Sequence, residues 1–113
     1  IMLGYSTKYG DAAADILPLA GLYKDEVRAL ARLLGVPRRI IDKAPTAGLW
    51  PGQTDEAELG ISYNDANAIL RGLEAGRSRK ELAEKLGPDK VSLVLGRIEA
   101  SRHKRQLAPT PDV

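Results

Sequence analysis

Side chains able to do chemistry gather at three places in these 113 residues. The first is the run Lys43-Ala44-Pro45-Thr46-Ala47-Gly48-Leu49-Trp50-Pro51-Gly52-Gln53-Thr54-Asp55-Glu56, which holds two hydroxyls, two acids and the sole tryptophan without apolar periodicity. No regular element is legible from Ala44 to Gly60, and structureless loops beyond ~12–15 residues are uncommon in compact domains unless they work. Residues 44–60 therefore read as a lid over a polar ligand. Trp50, whose indole would waste apolar area in water, reads as packed within the loop. The second place is Lys24, which heads a helical pattern where the dipole disfavours a cation and welcomes an anion. It is either an ordinary solvated lysine or one pointed at phosphates. The third is split: Lys8 and Asp15 stand among the small residues of 4–15, where a ligand can approach the backbone, and Arg102-His103-Lys104-Arg105 ends the last helical pattern. Helix capping explains that basic run equally well. No nucleophile, metal cluster or carboxylate pair stands out by spacing, so the residues alone name no reaction.

The totals bound what these groups could be part of. The length fits one segment of a domain, 1–113, or one small domain. A hydrophobic share of 43% with 28% charged residues is that of an ordered globular chain. The absence of cysteine rules out disulfides and thiol chemistry, and a single histidine rules out a multi-histidine metal site. A net charge of +2 is too small to imply nucleic acid by itself. No apolar run approaches the ~18 residues of a membrane span, and no secretory signal is visible, so the expected compartment is the cytoplasm. The opening Ile1-Met2-Leu3-Gly4-Tyr5 reads as the interior of a longer chain.

The elements that must position these groups are helical. Val27, Leu30, Ala31 and Leu34 form one stripe from about Lys24 to Leu34, with Asp25 and Glu26 in the first turn and Gly35 at the end. Pro37 to Lys43 predicts a short helix anchored by Ile40 and Ile41. Ser62 and Asp65 predict a capping box, with Ile61 stapled against Ala66 and the stripe Ala66, Ile69, Leu70 and Leu73 behind it. Ser78 and Glu81 open the next helix, closed by Gly87-Pro88. Asp89 then caps a last one on Val91, Val94, Leu95 and Ile98, whose internal Gly96 calls for close packing. Ile16 to Ala20 leaves room for one short edge strand, and residues 107–113 read as an extended tail. The fold class is mainly α, with about five helices and at most one short strand.

The run Lys43-x-Pro45-Thr46-Ala47-x-Leu49-Trp50-x-Gly52-Gln53-Thr54-Asp55-Glu56-x-Glu58-Leu59-Gly60 resembles the signature loop of ammonia-dependent NAD synthetases. Gly4-Tyr5-x-Thr7-Lys8-Tyr9-Gly10-Asp11-x-x-x-Asp15 is similar to that family's dinucleotide-binding segment, although the family usually has glycines at Ala12 and Ala13. Leu22-Tyr23-Lys24 and His103-Lys104-Arg105 also match. The resemblance implies the C-terminal half of an α/β, Rossmann-like adenine-nucleotide-hydrolase fold. It implies an amide-forming ligase in which ATP, as co-substrate, adenylates the nicotinate carboxylate of deamido-NAD, and ammonia displaces AMP. Lys24 and Thr46 would bind ATP, and Lys8, Asp15, His103 and Lys104 would hold deamido-NAD.

That family carries a Ser-Gly-Gly-x-Asp-Ser loop whose aspartate helps to bind Mg2+, and no such loop occurs here. Its second Mg2+ ligand, a glutamate, would fall immediately before Ile1. These residues alone are therefore expected to be inactive, and to need a homodimeric mate or the N-terminal half to cover their stripes. The competing reading is a helix-turn-helix DNA reader over residues 78–105. The apolar Leu93-Val94-Leu95 block argues against it, because a groove-facing surface should be polar.

Overall fold

The computed structural model describes residues 1–10 and 13–106. Asp11, Ala12 and the expected tail at 107–113 lie outside the described residues. The order is α1 (Lys24–Leu33), α2 (Arg38–Ile41), α3 (Asp55–Leu59), α4 (Tyr63–Glu74), α5 (Arg79–Leu86), α6 (Pro88–Ala100) and a 3₁₀ turn (Arg102–Arg105). No strand occurs among the described residues. Ile16 to Ala20 runs into tight turns instead, with Ala20 N donating to Leu17 O at 3.1 Å and Leu22 N to Leu19 O at 3.0 Å.

The core sits where α4, α5 and α6 meet. Ile69, Leu82, Val91 and Val94 are almost wholly buried, and Leu59, Ile61, Ala66 and Leu70 complete the cluster. Each such side chain contributes about 1.5–3 kcal/mol on burial, so these three helices hold the chain together. The caps set their ends. Ser62 Oγ accepts from Asp65 N at 3.1 Å, while the Asp65 carboxylate accepts from the Ser62 hydroxyl at 3.0 Å rather than from its backbone. The Ser78 and Glu81 box closes fully, Glu81 accepting from Ser78 N at 2.7 Å.

Several expectations are corrected. The 44–60 run is not wholly irregular: Thr54 accepts from Ala57 N at 3.3 Å, acids fill the first turn, and Gly60 at φ 73° ends α3. Five residues are too few for a periodic signal. α6 begins at Pro88 after Gly87, not behind an Asp89 cap, because proline's missing N–H costs nothing in a first helical turn. It ends at Ala100, and Arg102–Arg105 forms a separate 3₁₀ turn. Gly96 is exposed, and a methyl group there would meet nothing within 4 Å, so no close approach requires it.

The α1 stripe is corrected most. No α1 residue is buried, Leu34 is 72% exposed, and of the α2 pair only Ile41 is buried. Among the described residues α1 packs chiefly on α2 and α4, and Val27 and Ala31 on its apolar side line a cavity rather than a core. The radius of gyration, 16.0 Å, exceeds the about 13 Å of a compact domain of this length.

Candidate nucleotide-binding site

α1 is held at the N-terminal end that carries Lys24. Arg71, on α4, donates to Asp25 at 2.8 and 3.2 Å and to Glu26 at 3.0 Å. Asn67 Nδ2 adds a bond to Asp25 at 2.8 Å, and the Arg71 guanidinium lies 4.6 Å above the Tyr23 ring. The Arg71 hydrogen bonds hold the Asp25 carboxyl below its ordinary range, and Asp25 and Glu26 raise Arg71. Glu26 also accepts from Tyr23 N at 2.7 Å, closing the helix start. The acids of the first turn are thus held by α4, while Lys24 makes no ion pair among the described residues. Its ammonium lies 5.7 Å over the Tyr63 ring.

Lys24 and Thr46 line the same cavity, of about 330 Å³, between α1 and the segment after α2. Val27, Ala31, Val36, Ile40 and Ile41 form its apolar side, and Arg28 and Lys43 bring two more cations. No carboxylate lines it among the described residues. Thr46 Oγ1 accepts from Gly48 N at 3.0 Å, which leaves the hydroxyl proton free to donate. A concavity with several positive groups, a free hydroxyl and no acid among the described residues can take a polyanion.

Lys24 also lines a larger groove of about 740 Å³, bounded by residues 1–3 and Tyr5, by 17–23 and by Asp55, Tyr63 and Asn67. On its wall a polar hub joins the first loop to the 44–60 run. Gln53, 6% exposed, accepts from Leu49 N at 2.7 Å and donates to Glu58 at 3.2 Å and Tyr5 Oη at 3.4 Å. Tyr63 Oη donates to Asp55 at 2.9 Å, and Tyr63 N donates to Glu56 at 2.8 Å. The Glu58 carboxylate first, then burial, push the Tyr5 phenol up to about 12. Burial first, then Asp55, raise Tyr63 further. Asp55 and Glu56, unassigned in the sequence, therefore tie α3 to the head of α4. Gln53 and Asn67 went unnoticed because nothing in the sequence distinguishes a buried amide from a solvated one.

The residues expected to hold a dinucleotide are only partly brought together. Lys104 Nζ donates to Gly4 O at 2.7 Å and Ser6 O at 2.6 Å, so it secures the segment that leads to Lys8. Arg105 and Ser101 bond Met2 O at 3.0 and 3.3 Å beside it. Lys8 is exposed, with its ammonium 5.6 Å over the Tyr9 ring. His103 is exposed, its Nδ1 3.1 Å from Ala100 O. Asp15 is exposed and touches neither cavity. Trp50 is 52% exposed, which corrects the expectation of packing: with Gly48 and Gly52 at φ 68° and 80°, the turn carries the indole outward. Among the described residues no three histidine or acidic side chains gather into a cluster.

The outward side of α6 shows Asp89, Lys90, Ser92, Gly96 and Glu99, while Leu93 and Leu95 pack against the core. That surface of α6 is mixed in charge.

Residues 1–108 match the family model described as NAD synthase. The chain is 50% identical over 113 residues to the NH(3)-dependent NAD(+) synthetase of Archaeoglobus fulgidus, covering all of this chain and 43% of that protein. It is 51% identical to the synthetase of the same description from Thermococcus kodakarensis, covering 98% of this chain and 45% of the relative. It also superposes on NMN synthetase from Francisella tularensis with a TM-score of 0.79 and 41% identity, over 99% of this chain and 42% of that one. The chain thus spans less than half the length of the relatives it matches.

Proposed function

Because this chain belongs to the NAD synthase family, we propose that it supplies part of the site of an ATP-dependent, amide-forming ligase acting on deamido-NAD and ammonia. The observation that carries the reading is the acid-free cavity shared by Lys24 and Thr46. A carboxylate is a poor electrophile until it carries a good leaving group. The nicotinate carboxylate attacks the α-phosphorus of ATP and pyrophosphate leaves. Ammonia then attacks the acyl-adenylate, AMP departs with the bonding pair, and the nitrogen sheds its proton. This chain's task is to gather two polyanions and neutralise charge that shifts along the phosphates. Lys24 and Thr46 hold the ATP phosphates. Lys8, Asp15 and His103 hold the dinucleotide, and Lys104 acts by fixing the carbonyls of Gly4 and Ser6. Residues 44–54 close over the ligands, hinged at Gly48 and Gly52 and anchored by Gln53.

On this reading the 113 residues supply only part of the site, since the Ser-Gly-Gly-x-Asp-Ser loop that the resemblance implies does not occur among them. The apolar groups left open along α1 and α2, Leu33 at 85% and Ile40 at 57% exposure among them, take a covering surface. Light scattering tests that cover, and a monodisperse monomer with no tendency to associate contradicts it.

Transplanting this chain into the A. fulgidus relative, in place of the 43% it matches, tests the activity. The chimera is expected to make NAD, AMP and pyrophosphate from deamido-NAD, ATP and ammonia, and Lys24→Gln to abolish it. A folded chimera with no amide formation overturns the reading. One that makes only NMN moves the product to the one named for the structural neighbour.

A further inference from the structure

Resting on that reading, we propose that Arg28, with Lys43 across the cavity, grips the same polyphosphate chain as Lys24 and Thr46. Among the described residues five basic side chains are partly buried: Lys24, Arg28, Arg97, Lys104 and Arg105. Three of them donate to backbone carbonyls at 2.6–3.0 Å, Arg97 to Glu58 O, Lys104 to Gly4 and Ser6, and Arg105 to Met2 and Ile98. Lys24 lies over the Tyr63 ring. Neither Lys24 nor Arg28 has a carboxylate or carbonyl partner among the described residues, and both line the cavity. The five donors of the Arg28 guanidinium are therefore available to whatever enters the cavity.

Its place on the helix sharpens the point. Lys24 and Arg28 are four residues apart, so they share one face of α1, where like charges repel. Lys24 is the first residue of α1, where the dipole opposes cations. The acids that could have relieved them, Asp25 and Glu26, are held by Arg71 on the other side. Lys43 reaches the same space from the segment that carries Thr46. A polyphosphate resolves these conflicts together, because it brings several negative charges and suits the bidentate fork of an arginine. Lys24 and Thr46 then hold one end of the phosphate chain, and Arg28 and Lys43 extend the cradle along α1.

The test is calorimetric titration of this chain with inorganic tripolyphosphate at low salt. Arg28→Gln and Lys43→Gln are each expected to weaken binding at least about fivefold. Arg28→Lys should recover part of the loss, and Lys80→Gln, on the exposed side of α5, should change nothing. Thermal melting of Arg28→Gln should be unchanged or higher, since a like-charge contact is gone. If Lys24→Gln weakens binding while Arg28→Gln and Lys43→Gln do not, this inference is overturned and the nucleotide reading stands. If the unmodified chain ignores tripolyphosphate, or Lys80→Gln weakens it equally, this inference falls, while the nucleotide reading is decided by the chimera.

Discussion

Two glycines in two helices should answer the same substitution with opposite signs. Glycine to alanine in a helix interior stabilises by about 1 kcal/mol when nothing else changes. At Gly96, in α6, a methyl group meets no atom within 4 Å, so Gly96→Ala should gain that full amount. At Gly72, in α4, the new Cβ would overlap Leu82 Cδ2 and lie 3.5 Å from Leu82 Cγ. Leu82 is 1% exposed and cannot swing into water, so the core must move. Overpacking of this kind costs about 1–3 kcal/mol, and the propensity gain offsets about 1 of it. Gly72→Ala should therefore be destabilising by about 0–2 kcal/mol. The propensity gain cancels in the difference between the two variants, which isolates the packing term. Urea unfolding followed by circular dichroism measures it, provided the slope with denaturant is the same in both. Adding Leu82→Ala completes a double-mutant cycle, and it should cost less beside Gly72→Ala than alone, by that same packing term. If Gly72→Ala stabilises the chain as much as Gly96→Ala, Leu82 does not roof Gly72, and the seat of the helix that holds Lys24 in place is wrongly described.

Gly4 has φ 64°, and a Cβ there would collide with the Ser101 side chain. Gly4→Ala should release residues 1–6 from Ser101 and Lys104, seen as faster amide exchange there, while α4–α6 keep their protection; loss of protection throughout would make the segment part of the core. On acidification the folded values of Asp25, Asp65 and Glu81 lie below their unfolded ones, through Arg71, Lys90 and Ser78 respectively. Their contribution is complete above the unfolded carboxylate range of about 4 and is lost as pH falls through the folded values; a urea midpoint that rises between pH 5 and pH 3 would contradict it. At the alkaline end, Tyr5 and Tyr23 are raised to about 12, so their contribution holds up to the ordinary tyrosine range and disappears as pH climbs through about 12. Ultraviolet titration should show these phenols ionising late in the native chain and normally in urea.

The core was legible where periodicity runs over several turns. Ala66, Ile69 and Leu70 on α4, and Val91 and Val94 on α6, are buried as their spacing demands. The same logic misled at α1, since a stripe says which side is apolar but not whether this chain covers it. α3 was too short to declare itself. At the candidate site, Lys24 stood out because it opposes the helix dipole, and Thr46 because it follows the motif lysine and proline. Nothing local announced Arg28, Gln53 or Asn67, whose meaning depends on neighbours distant in sequence, such as the bond from Asn67 to Asp25. The contact of Lys104 with Gly4 and Ser6 joins opposite ends of the chain, and helix capping had seemed enough to explain that lysine.

The most direct test is a two-ligand NMR titration of the isotope-labelled chain. ATP should shift the amides of Lys24, Arg28 and Thr46, deamido-NAD should shift those of Gly4, Ser6, Lys8 and His103, and the exposed tips of α5 and α6 should stay still. Shifts centred on Arg79, Lys80 and Lys90 with either ligand, or none around Lys24 and Thr46 with ATP, would contradict the assignment of these residues to a nucleotide site.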